Sequence, residues 1–288
     1  MFRQYEKNGG TFLNKELKYA ILIDADNISE KYIKIILDEA AKNGIATYKR
    51  IYGDWTNPQL NTWKRVLLDN SIIPIQQYGY TTGKSSTDSA MIIDAMDILY
   101  SGAVDGFCLA SSDSDFTRLA ARLRESGMQV IGMGESKTPK PFISACNQFK
   151  YLDILLSNES DSDPEKEIEP PADPEKPAVA AKKGKSAPSK RTKQKDKGPE
   201  PQTNLKMIKK AILTLAKECS DDDGWIFSAE LGNQLAKRFP DFDVRNFGFS
   251  KLTPFINSLG MFDVKRNHAG GNSNVQLVYF KVKDRKQK

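Results

Sequence analysis

The 288-residue chain has one histidine, His268, and three cysteines, Cys108, Cys146 and Cys219. So little histidine removes much chemistry. Ser-His-Asp triads, Cys-His pairs and His-rich zinc sites each need one in the right domain. The sparse, odd-numbered cysteines have no metal-ligand spacing and argue against a disulfide framework. No apolar run reaches the roughly 18 residues of a membrane span, and "MFRQYEKNGG" lacks the apolar core of a signal peptide. No membrane association is expected, and the protein reads as cytoplasmic. Catalysis in the first half, if there is any, falls to carboxylates.

Hydrophobic residues make up 39% of the chain, slightly few for a wholly globular one. The net charge of +6 is unevenly placed: residues 204–288 hold 15 Lys/Arg against 9 Asp/Glu, and the remainder balances. A basic C-terminal module beside a neutral one suggests an anionic partner, with nucleic acid the leading candidate. Between them, "SNESDSDPEKEIEPPADPEKP" gives way to "KKGKSAPSKRTKQKDK". Such a segment has too little apolar surface to offset the entropy of ordering. The chain thus divides into a domain over 17–156, a disordered charged linker over 157–202 and a small domain over 203–283.

Strand-like and helix-like patterns alternate through the first domain. "YAILIDA" is a continuous apolar run, as expected of a strand buried on both faces. "SEKYIKIILDEAAKNG" has helical spacing, with Gly44 as expected C-cap. "IATYKRIYGD", "SIIPIQQYG", "DGFCLAS" and "MQVIGMG" read as further strands, and "KYLDILL" as a last short one. "PQLNTWKRVLLDN", "TDSAMIIDAMDILYSG", "DSDFTRLAARLRESG" and "PKPFISACNQF" read as helices. This alternation predicts an α/β fold, a mostly parallel sheet flanked by helices. The last domain reads as three helices, "NLKMIKKAILTLAKEC" (apolar face Leu205, Ile208, Ile212, Leu215, Cys219), "SAELGNQLAKRF" and "SKLTPFINSLG". The strands "MFDVKR" and "NVQLVYFKV" follow, completing a winged-helix-like α+β layout.

Acids gather where such a sheet binds ligands, at the carboxyl ends of strands near a topological switch point. Asp24 and Asp26 follow the first strand in "ILIDADN", and Asp113 and Asp115 follow "GFCLAS" in "SSDSDF". Asp88 lies at the N-terminal end of the helical stripe made by Met91, Ile92, Ala95, Ile98 and Leu99, so it faces inward. Asp94 and Asp97 lie off that stripe, toward solvent. Converging carboxylates repel unless neutralised. Mg²⁺ or Mn²⁺, which prefer oxygen ligands, would neutralise them and could act on a phosphodiester. Each acid also has a plainer reading: Asp24, Asp26, Asp113 or Ser114 as helix caps, and Asp88 as a favourable charge at a helix N-terminus.

"ILIDADN", "GKSSTDSAMIIDAMD" and "SSDSDF", in that order, resemble the acidic motifs of the NYN family, relatives of PIN-domain ribonucleases. The resemblance implies a PIN-like sheet and metal-dependent RNA cleavage. It places catalytic metal ligands at Asp24, Asp88, Asp113 and Asp115, with Asn27, Lys84 and Asp26 in support. Asp94 matches a recurrent acid of that family. Lys84, Lys49 and Arg50 are candidates for phosphate contact. "GWIFSAELGNQLAKRFPDFDVRNFGFSKLTPFINSL" resembles a LOTUS (OST-HTH) domain, with Trp225, Leu231, Phe239, Pro240, Phe242, Phe247, Gly248, Leu252 and Phe255 at its core and turn positions. That implies RNA binding, for which Lys237, Arg238, Arg245, Lys251, Lys265 and Arg266 are the candidates, and in some members protein partners. Related nuclease folds often pair, so a homodimer through the nuclease domain is also open.

Three functions compete: a metal-dependent ribonuclease with a tethered RNA-binding module, a non-catalytic RNA-binding adaptor, and an aspartyl phosphatase. "DAD" after a first strand imitates the phosphatase nucleophile, but Asn27 stands where those enzymes usually carry Thr or Val.

Overall fold

A computed structural model describes residues 16–78, 86–160, 201–268 and 276–283. Strands β1 (Lys18–Asp24), β2 (Ile45–Gly53), β3 (Ile73–Gln76), β4 (Gly106–Ala110), β5 (Gln129–Gly134) and β6 (Gln148–Tyr151) form one sheet, in the order β3-β2-β1-β4-β5-β6. All its pairings are parallel. The central strands β1 and β4 are buried along nearly their whole length. Their apolar runs are the consequence of helices covering both faces.

Helices α1 (Ile33–Ala41), α2 (Trp63–Asn70), α3 (Ser86–Ser101), α4 (Thr117–Glu125), α5 (Lys140–Ala145) and α6 (Leu152–Ser160) complete this unit. One core joins Ile21, Ile23 and Ile51 to Ile35 and Ile36 of α1, Trp63 of α2 and Leu155 of α6. The other joins Leu22 and Phe107 to Met91 and Ala95 of α3, Leu123 of α4 and Phe142 of α5.

Two local expectations are corrected. "KYLDILL" is a strand only through Tyr151; from Leu152 it is α6, which buries Leu152, Ile154 and Leu155. A short apolar run does not distinguish strand from buried helix. Gly44 is not a left-handed C-cap, because α1 stops at Ala41 with Lys42 in ordinary helical geometry. Gly44 is instead a point of close approach: a Cβ there would lie 2.1 Å from the Leu17 carbonyl oxygen.

The second unit has α7 (Leu205–Glu218), β7 (Trp225–Phe227), α8 (Ser228–Arg238), α9 (Leu252–Ser258), β8 (Phe262–His268) and β9 (Gln276–Val282). β7 was not foreseen. It pairs antiparallel with β9, giving the sheet order β7-β9-β8. Ile208, Ile212, Leu215, Leu231, Leu235, Phe255 and Phe280 form the core. Leu205 and Cys219, the expected ends of the α7 apolar face, are exposed. Residues 161–200, most of the expected linker, lie outside the described residues, and residues 157–160 continue α6.

The two units touch through specific polar contacts. The Phe149 N–H of edge strand β6 donates to the Pro240 carbonyl at 2.8 Å. Tyr151 Oη donates to Asp241 Oδ2 at 2.9 Å, and Asp241 also accepts from Thr203 N and Oγ1. Lys150 Nζ reaches Asp243 at 2.9 Å. Gln202 bonds the Thr138 carbonyl in the loop that follows β5.

Candidate metal centre

The sheet order reverses between β1 and β4: β1 leads outward to β2 and β3, β4 outward to β5 and β6. Ile23 pairs with Ala110, so the chain segments leaving both strands open onto one crevice. This is where an open parallel sheet binds ligands.

Asp24 closes β1 and is fully buried. Its Oδ1 accepts from the Asp26 N–H at 3.1 Å, and its Oδ2 from Asn27 Nδ2 at 2.8 Å and Ser111 Oγ at 2.8 Å. Asp24 therefore shapes its own turn and does not cap the following helix. Burial pushes its carboxyl up to about 6; the Ser111 and Asn27 hydrogen bonds oppose this, and the nearby Asp88 charge adds to it. Asp26 takes part through its backbone, and its side chain is exposed.

Asp88 sits in the first turn of α3, only 7% exposed, on the same face as buried Met91, Ala95 and Ile98. Asp113 and Asp115 lie in the segment after β4. Asp113 Oδ1 accepts from the Asp115 N–H at 2.9 Å and caps the 3-10 turn Ser114–Phe116. The helix-cap reading of Asp113 is thus realised for one oxygen. Carboxylate oxygens of Asp88, Asp113 and Asp115 all come within 4.8 Å of one another. Asp24 adjoins this trio without belonging to it. An all-oxygen, triply anionic donor set suits a hard divalent cation and nothing softer.

Ser111 was missed from sequence. It donates to Asp24 and accepts the Asp113 N–H at 3.0 Å, tying the two acidic segments together. Its only signal was its place as the first residue of "SSDSDF", directly after the strand. Gly134, at the end of β5, packs bare backbone on this point: a Cβ there would meet the Ser111 carbonyl oxygen at 2.6 Å.

Other expectations change. Asp94 is not solvated; it pairs with Arg50 and accepts from the Tyr52 hydroxyl. Arg50 is thereby committed, and Lys49 Nζ donates to the Asn70 carbonyl at 2.6 Å. Lys84 lies outside the described residues. Among the RNA candidates, Arg245 is bound to Glu39 and Asp243 at the junction of the two units, so it is not a surface cation awaiting phosphate. Arg238 lies 3.9 Å from Glu218. Lys237, Lys251, Lys265 and Arg266 are exposed.

The NYN domain model matches residues 18–153, and the OST-HTH/LOTUS domain model matches residues 200–273. The chain carries an NYN domain and a LOTUS domain. The acidic crevice lies wholly within the NYN domain, and the LOTUS domain supplies Asp241, Asp243 and Arg245 to the junction. No curated protein matches the chain. Among solved structures the chain is similar to a protein of unknown function from Vibrio parahaemolyticus, at 19% identity, covering 50% of this chain and 97% of that one with a TM-score of 0.43. It is also similar to MurG of Acinetobacter baumannii, at 12% identity, covering 46% of this chain and 40% of that one with a TM-score of 0.32. Among the described residues, no helix is long and apolar enough to cross a membrane.

Proposed function

We propose that the NYN domain hydrolyses RNA phosphodiesters with Mg²⁺ or Mn²⁺, and that the LOTUS domain binds the RNA. The observation that carries this reading is the convergence of Asp88, Asp113 and Asp115 at the switch point. A divalent cation there supplies charge neutralisation at the phosphate and acidifies water.

The chain's own residues do the rest. Asp88, from α3, and Asp113 and Asp115, from the turn after β4, would hold the cation. Asp24 acts beside them as a fixed negative charge and an anchor. Its bond from Ser111, which in turn holds the Asp113 N–H, couples the end of β1 to the ligand-bearing turn. Asn27 fixes the rotamer of Asp24. With histidine absent from this domain, proton transfer at the site would fall to its carboxylates and water.

The test is cleavage of labelled RNA by the purified chain in Mn²⁺, compared with Asp24→Asn and Asp113→Asn. Loss of cleavage in both variants supports the assignment. Cleavage that survives both removes it. A wild-type chain that binds RNA and never cuts it is the adaptor.

A further inference from the structure

We infer that the outer face of the LOTUS sheet is a stacking platform for unpaired RNA bases, built from Trp225, Phe227 and Tyr279 and flanked by Lys265 and Lys281. This rests on the reading that the LOTUS domain binds RNA, and it gives that reading a surface and a substrate class.

The sheet has an inside and an outside, because side chains alternate along each strand. Ile226, Phe262 and Phe280 point into the core and are at most 4% exposed. Their neighbours point the other way. The register sets Trp225 opposite Lys281, Phe227 opposite Tyr279, and Tyr279 opposite Lys265, all on the outer face. The Phe227 and Tyr279 rings lie 5.4 Å apart at 44°. Phe227 remains 36% exposed. Three aromatic rings thus share the solvent face of a three-stranded sheet.

The charge beside them is equally specific. Lys265 Nζ lies 5.7 Å, and Lys281 Nζ 5.9 Å, from the centroid of the Trp225 ring. Among the described residues neither ammonium is ion-paired with a carboxylate, although Asp263 stands opposite Lys281 across the β8–β9 pair on the same face. The ring quadrupole attracts both, and each keeps a positive charge available to a phosphate. Cross-strand aromatic pairs also stabilise a sheet by themselves. That role, like the charge of Asp263 opposite Lys281, has no bearing on affinity.

One exposed and two half-buried aromatic rings with adjacent cations suit single-stranded nucleic acid, whose bases stack while its phosphates meet the lysines. They do not suit a duplex, in which base faces are covered by their neighbours and only edges and backbone are accessible. The site therefore selects loops, tails or other unpaired stretches.

The test uses the full chain without divalent cations, so that no cleavage intervenes. Binding is read by fluorescence anisotropy with labelled oligouridylate and with the same strand annealed to oligoadenylate. Trp225→Ala and Tyr279→Ala are each expected to weaken binding of the single strand by on the order of tenfold, the loss of one stacked base. Trp225→Phe restores most of the affinity. The double variant Lys265→Gln/Lys281→Gln, which leaves the rings in place, is expected to weaken binding several-fold and to flatten its salt dependence. Duplex binding stays unchanged in the ring variants. Far-UV circular dichroism confirms that the variants are folded. If the folded ring variants or the lysine variant bind as the wild type does, the platform is wrong and RNA binding by the domain stands. If the wild-type chain binds neither RNA at low salt, RNA binding falls and the platform falls with it; the face is then one for a protein.

Discussion

Both terminal nitrogens of Arg245 reach Glu39, Nη1 at 2.6 Å from Oε1 and Nη2 at 2.9 Å from Oε2. The same guanidinium bonds Asp243, its neighbour in the LOTUS domain, at 2.7 Å. An arginine expected to meet RNA is instead the fastener between the two domains. Glu39 sits on α1 and is only 3% exposed with the two domains together, so a LOTUS residue joins Lys42 in neutralising a charge buried at the junction. The LOTUS domain is therefore docked against its neighbour.

Arg245→Ala should leave Glu39 with Lys42 as its remaining cationic partner and cost about 1–3 kcal/mol, the range for losing a charged hydrogen-bond partner. The denaturant midpoint measures this, and small-angle scattering should show a longer particle. Arg245→Lys should recover little, since an ammonium is a point charge without the planar five-donor fork that joins Glu39 to Asp243. RNA affinity and its salt slope should stay as in the wild type. A steep loss of RNA binding would return Arg245 to the nucleic-acid surface.

The junction should also weaken in acid. Burial pushes the carboxyls of both Asp243 and Glu39 up, but hydrogen bonds and charge from Arg245, with Lys150 and Lys42, outweigh it and hold both below their usual values. A depressed acid contributes stability that is fully present above its unfolded value and is lost as pH falls through its folded one. The window thus opens near pH 4 and extends downward. Scattering or limited proteolysis across that range should show the domains separating before either unfolds. Asp243→Asn should already be weakened at pH 7 and change less on acidification.

A cation held by Asp88, Asp113 and Asp115 should stabilise the fold by mass action. Mn²⁺ at about a hundred times its dissociation constant should add about 2.7 kcal/mol, read as a rise in melting temperature that a chelator reverses. Asp88→Asn or Asp113→Asn should abolish the rise, and Asp97→Asn, on the exposed side of α3, should not. A wild-type melting curve indifferent to Mn²⁺ and Mg²⁺ would empty the proposed site.

Asp94→Asn should act on stability and not on chemistry. Asp94 receives Arg50 and the Tyr52 hydroxyl, whose proton is held more tightly than usual by burial first and by Asp94 next. Losing a charged hydrogen-bond partner costs about 1–3 kcal/mol. The melting temperature should fall, and turnover measured well below it should be close to wild type. A large loss of turnover in folded protein would make Asp94 part of the site.

Much of this was readable from local pattern. The apolar run before Asp24 and the strand before "SSDSDF" gave two central strands, and the spacing after Asp88 gave its inward face, because periods of two and of 3.6 are local properties. What escaped were partners far away in sequence. Nothing near Arg245 announces Glu39, and nothing near Asp94 announces Arg50 and Tyr52, since an exposed and a paired cation look alike in sequence. Ser111 was hidden by its ordinariness beside the acids. β7 escaped because three residues are too few to show alternation, and α6 because four apolar residues fit strand and helix equally.

The hydrogen bond from Phe149 to Pro240 has one more consequence, for the ends of the sheet. An edge strand with free N–H groups invites a strand from another molecule. At one margin, β3 carries Pro74, which has no N–H to offer. At the other margin, β6 carries no proline, and the main chain of the LOTUS domain occupies part of its outward rim. Removing the second domain would thus uncover an adhesive margin that its main chain otherwise covers in part.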